Sequence, residues 1–213
     1  MTEKQIWDRL KREGLTDEGV AAIMGNLQCE SALRPNNVQD GMGHSDEQYT
    51  NAVDTGIISE EQFATDQRGY GYAQWTYPDR KRNLWEFIKS AGKSIGDGEM
   101  QIEFLIAEFP IEAPDTWKML HTSTDMQKCA EWVCRYYERP AVNNIDERYK
   151  SGKVFYDKFH NTPIETPTAS TNTPTETPTD TVTISREEYN FLTRCASVWM
   201  DVKDMLEVLN ERV

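Results

Sequence analysis

In residues 16–31, TDEGVAAIMGNLQCES, apolar side chains recur three and four apart at Val20, Ile23, Met24 and Leu27. That period belongs to one face of an α-helix, and Thr16 supplies the side-chain oxygen that caps its first turn. The same period returns along residues 1–160, so the chain reads as mainly α. Ile6, Trp7 and Leu10 mark a first helix ended by Gly14. Further helices are expected over 59–65, 79–91, 97–109, 124–138 and 142–159, with Met126, Cys129, Val133 and Tyr137 on one side of 124–138. Residues 34–58 are polar and carry little period. A loop that long inside a compact domain is usually functional.

The helical domain is expected to span residues 1–160, because the composition changes abruptly there. Residues 161–184 hold four prolines, many threonines, three acids and no basic residue. Such a segment buries too little apolar surface to offset its ordering entropy and reads as a semi-stiff linker. In 185–213, Ser185 and Glu188 form a capping-box pattern. Leu192, Trp199, Leu206 and Val213 then recur every seven residues, with Cys195, Val202 and Leu209 interleaved. An amphipathic, coiled-coil-like helix with this seam is expected to make a homo-oligomer. Docking on a partner protein, or folding back on the first domain, are the alternatives.

The net charge of −13 argues against nucleic acid, whose binding needs clustered Lys and Arg, and against anionic lipid. No apolar run approaches the ~20 residues that span a bilayer. The lysine-bearing N-terminus lacks the apolar core of a signal peptide, so synthesis in a cytoplasm is expected, with another route out for any action outside. Four cysteines, Cys29, Cys129, Cys134 and Cys195, make no dense disulfide framework and read as free thiols. Three scattered histidines and no pair at ligand spacing leave nothing to hold a metal, and no cofactor is expected.

Glu30 follows Leu27 by three and Ile23 by seven, which puts it on the buried stripe at the exit of its helix. Arg34-Pro35 ends that helix. A carboxylic acid half-buried beside apolar groups favours its neutral form, the state a general acid needs. A helix-end glutamate bonded to loop amides is the alternative. Downstream, DQRGYGYAQWT (66–76) sets Gly69 and Gly71 around Tyr70, with Tyr72, Gln74 and Trp75 behind. Glycines allow close backbone approach to a ligand, and Tyr and Trp offer flat faces suited to sugar rings. A tight turn with core aromatics would account for the same residues.

Taken together, Glu30-Ser31 and Gly71-Tyr72-Ala73-Gln74 resemble the signature of the lysozyme-like superfamily. More closely, GVAAIMGNLQCESALRPNN, GYGYAQWTYPDRK, SIGDGEMQIEFL and YYERPA are similar to the phage tail-tip lysozyme family of tail lysins and endolysins. The resemblance covers most of residues 3–159. It implies a two-lobed helical domain acting on peptidoglycan glycan strands, cleaving the β-1,4 bond between N-acetylmuramic acid and N-acetylglucosamine. Glu30 would be the proton donor, and Tyr70, Tyr72, Gln74 and Trp75 would line the sugar subsites.

Glycosidases usually pair their acid with a second carboxylate about 5–9.5 Å away. Asp66 is the first candidate, by its likeness to an aspartate upstream of the same strip in goose-type lysozymes. Asp40, Asp46 and Asp54 are rivals, and Asp66 could equally be a helix cap. Glu138 in YYERPA reads as structural, paired with Arg139 or loop amides. Without a second carboxylate, the muramic acid C6 hydroxyl can attack instead, as in lytic transglycosylases. Two other classes compete: a non-catalytic glycan-binding virion component, and an amidase or endopeptidase using Cys29. The second is disfavoured because the neighbouring acid would raise the thiol's pKa.

Overall fold

The computed structural model describes residues 1–39 and 45–165, which belong to one compact unit over Met1–Pro167. Most of the expected linker, all of the expected oligomerisation helix and Asp40 lie outside the described residues. Among those described, the chain forms nine α-helices and a π-helical turn, with no strand. They are α1 (Glu3–Arg12), α2 (Asp17–Ser31), α3 (Asp46–Asp54), α4 (Glu60–Thr65), α5 (Pro78–Ser90), α6 (Gly98–Glu112), α7 (Pro114–Leu120), α8 (Met126–Trp132), the π-turn (Val133–Glu138) and α9 (Ile145–Phe159).

The helix starts follow local chemistry. Thr2 with Gln5, Ser45 with Gln48 and Ser59 with Gln62 form reciprocal capping boxes at α1, α3 and α4. Prolines open α5 and α7, where a missing N–H costs nothing. Two helices were not expected. α3 sits inside the polar 34–58 stretch because only Tyr49 and Val53 need burying; Ser45-x-x-Gln48 was its one sequence signal. α7 fits between Pro114 and Leu120 on two buried residues, Thr116 and Leu120.

α2 is the hub. Every one of its residues from Gly19 to Leu27 is buried, and it packs against α9, α8, α1, α7 and the π-turn. A second group pairs α4 with α5, and α6 links the two by touching α5, α7 and the π-turn. Around the second group, Tyr49 of α3 meets Phe63 and Tyr70. The α2–α9 crossing is unusually close. A Cβ on Gly25 would lie 2.5 Å from Gly152 N and 2.7 Å from Gly152 Cα, and one on Gly152 would lie 2.7 Å from Ala21 O. This crossing brings the first turns of α9 against the last turns of α2, where Glu30 sits.

Candidate active site

Glu30 occupies the last turn of α2, the end at which a helix dipole disfavours an anion. No basic residue of that turn compensates. The compensation comes from α9 instead: Arg148 Nη2 donates to Glu30 Oε1 at 2.6 Å. Its Nη1 donates to Asn26 Oδ1 at 2.9 Å, and Asn26 donates in turn to the carbonyls of Ala22 and Ala130. Burial works against the Arg148 charge, and the facing Glu30 more than offsets it, so the guanidinium's pKa is raised. Glu30 therefore meets a cation rather than the apolar surroundings its stripe position suggested. Its side chain keeps 16% of its surface open, against 6% for Arg148.

Beyond Glu30 the helix closes on Ala32 and Leu33, both left-handed at φ 54° and 52°. Each such residue costs roughly 1–2 kcal/mol when it is not glycine. Among the described residues, Gln67, Gln74 and Arg139 are the other non-glycine positions of this kind. All five lie within three residues after Glu30, Asp66 or Glu138, or are Gln74 itself. Strained backbone gathers at functional sites when the surrounding structure holds it in place.

Ser31 ties this exit to the glycine-rich strip. Its hydroxyl shares one proton between Tyr72 O at 2.9 Å and Leu27 O at 3.2 Å. The strip is a closed turn in which Tyr70 and Trp75 exchange backbone hydrogen bonds. Gly71 takes φ +76°, and a side chain there would strike Gln101. Gln101, fully buried on α6, was not singled out by the sequence reading. Its Oε1 accepts from Tyr72 N, and its amide donates to Pro35 O and Ile95 O. A lone glutamine in an apolar helix was the only available signal.

The rings of Tyr70, Tyr72 and Trp75 are all 0% exposed. Their flat faces are used by the core: Tyr70 against Phe63 and Tyr49, Trp75 against Phe104. Burial pushes the Tyr72 phenol up to about 12, so it stays neutral. The part of the strip nearer solvent is Gln74, whose amide donates to Asn37 O and Gly71 O. Between Gly69 and Trp75 the strip thus presents the half-buried Gln74 amide in place of aromatic faces.

Asp66 caps the end of α4 and is fully engaged. Lys81, itself 0% exposed, pairs with its Oδ1, Tyr49 donates to its Oδ2, and Arg68 N donates to Oδ1 at 3.0 Å. Asp46 and Asp54 are engaged likewise, with Arg34 and Lys89. A further buried network joins the strip to the π-turn. Arg80 holds Glu108 in two parallel bonds of 2.8 and 2.6 Å, and Trp75 Nε1 and Tyr137 OH donate to Glu108 Oε2. Glu138, next in the chain, does not pair with Arg139, which reaches Glu112 instead.

Cys29 is exposed, while Cys129 and Cys134 are buried and burial pushes both thiols up, which keeps them protonated and unreactive. Among the described residues, no group of three or more His, Cys, Asp or Glu could hold a metal, and no helix is long and apolar enough to cross a membrane.

No curated protein matches this chain. A family model described as phage tail lysozyme matches residues 1–159, the whole of the helical domain with both Glu30-Ser31 and the strip. The chain belongs to the phage tail lysozyme family.

Proposed function

We propose that this domain cleaves the β-1,4 bond between N-acetylmuramic acid and N-acetylglucosamine in peptidoglycan, with Glu30 as general acid. Membership of a lysozyme family supports a peptidoglycan-lytic role at the cell wall. The observation that carries the residue assignment is the Ser31–Tyr72 hydrogen bond. It holds the helix exit against the strip, so that the partly open carboxyl of Glu30 belongs to the residue next to the one tied to the turn that carries Gln74. Glu30 would give its proton to the glycosidic oxygen, and Gln74 would orient the saccharide through its amide.

Incubating the full chain with purified peptidoglycan is expected to release muropeptides with new saccharide ends, read by mass spectrometry. Release of stem peptides from intact glycan strands would overturn the reading. The engagement of Asp66 by Lys81, Tyr49 and Arg68 favours attack by the muramic acid C6 hydroxyl, because hydrolysis through Asp66 would require it to leave a buried cation. Anhydro ends, lighter by one water than hydrolytic ends, would distinguish that route. Hydrolytic ends would return Asp66 to the role of water-positioning carboxylate.

We further propose that residues 185–213 assemble copies of the chain through their heptad seam, which would raise effective concentration on a polymeric wall. Full-length protein is then expected to elute as an oligomer and a chain ending at residue 184 as a monomer. A monomer in both cases would end this proposal. Such a protein would reach the wall from the host cytoplasm after membrane permeabilisation, or within a virion tail.

A further inference from the structure

A proton donor must carry a proton, yet Glu30 faces the Arg148 guanidinium at 2.6 Å, a neighbour that favours a carboxylate over an acid. Something else must keep a proton in the site at neutral pH. Within electrostatic reach of both members of this pair, at the end of the π-turn, the stem of Glu138 is half-buried while both of its carboxyl oxygens are shut off from solvent without a hydrogen-bond partner. An ionised carboxylate left in that condition would cost far more than a neutral acid. Arg148 also has an unused donor, its buried Nε.

We infer that Glu30 and Glu138 form a carboxyl dyad around Arg148 that holds one proton between them, and that Glu138 is the positioning residue that keeps it there. One cation can offset one carboxylate; two ionised carboxylates around it leave a surplus charge, so the pair retains a proton. The facing groups fit this count. Glu30 and the neutral Asn26 come from α2, Arg80 from α5, Glu108 from α6, Cys134 and Tyr137 from the π-turn, and Arg148 from α9. Arg80 is already committed to Glu108 in a bidentate pair, which leaves Arg148 as the cation of the dyad. Burial first, and the Glu30 charge second, raise the Glu138 pKa well above the usual carboxylate range.

The inference rests on Glu30 being the donor, and the proton count closes. The glycosidic C1–O4 bond breaks with its electron pair on O4, and O4 takes the dyad's proton from Glu30. The acceptor, water or the C6 hydroxyl, bonds to C1 and returns its own proton to the dyad. When Glu30 carries the proton, Glu138 is the carboxylate, and the nearby Arg148 charge offsets it.

The test is the pH profile of kcat/KM on purified peptidoglycan for wild type and Glu138→Gln, with folding checked by circular dichroism. Glutamine keeps the shape of Glu138 and cannot share the proton. The alkaline limb of the variant is expected to lie at least about one pH unit lower, a tenfold loss on the wild-type plateau that closes toward acid pH. Alkaline limbs at the same pH, with or without a uniform loss of rate, would overturn the dyad. A second measurement uses only the wild-type chain: carboxyl carbon resonances of Glu30 and Glu138 followed against pH. A shared midpoint above the ordinary glutamate value of about 4.3 supports the dyad, and independent midpoints in the ordinary range overturn it. This arm needs no turnover, so it separates failure of the dyad from failure of the glycosidase reading.

Discussion

Glu30→Gln is expected to slow glycan cleavage by about 10²–10⁴-fold, the usual contribution of a positioned general acid. The loss should fall on kcat, because glutamine has nearly the same shape and still presents an oxygen to Arg148. That oxygen accepts a hydrogen bond without neutralising the guanidinium, so a stability loss of about 1–3 kcal/mol is expected beside it. Asn26 continues to hold Arg148 through Nη1, and the thermal transition should stay cooperative. Solubilisation of purified peptidoglycan, measured with binding to the same walls by sedimentation, separates the two effects. Binding retained with turnover lost identifies the acid. Wild-type turnover in a folded variant would remove Glu30 from the chemistry and favour the glycan-binding alternative.

Gly25→Ala is expected to lower stability by about 3 kcal/mol, at the upper end of overpacking costs. Ordinarily alanine stabilises a helix relative to glycine by about 1 kcal/mol, so the sign is itself diagnostic. Here the new Cβ would lie 2.5 Å from Gly152 N. The obstructing atoms are backbone, which cannot swing aside as a side-chain tip would. The helices must separate, and the separation moves Arg148, in the first turn of α9, relative to Glu30. A urea midpoint shifted down without a change in slope would report the lost stability, and activity should fall in the fraction that remains folded. An alanine variant as stable as the wild type would mean that the α2–α9 crossing is looser than these distances state.

How much of this was legible in the chain follows from the range of each signal. The period of α2, its Thr16 cap and its stop before Pro35 are local, written within a turn or two of helix. The capping box that starts α3 was equally local, but it stood in a polar stretch whose helix buries only Tyr49 and Val53. Hydrophobic period had little to show there. The rings of the strip mislead for another reason. Tyr70, Tyr72 and Trp75 look the same in sequence whether they face a sugar or a core, and only packing against Phe63, Tyr49 and Phe104 settles it.

The charged partners lie beyond any local signal. Arg148 is 118 residues from Glu30 in sequence, and Lys81 meets Asp66 from a different helix. The sequence by itself determined a helical domain, the placement of Glu30 at a helix exit and the link between Glu30-Ser31 and the strip. The tertiary structure decided which carboxylate is paired, which is engaged and which is buried alone. The physical reason is that a helix period encodes which face is covered, while the identity of the covering charge depends on where two helix axes cross. Here two glycines set that crossing.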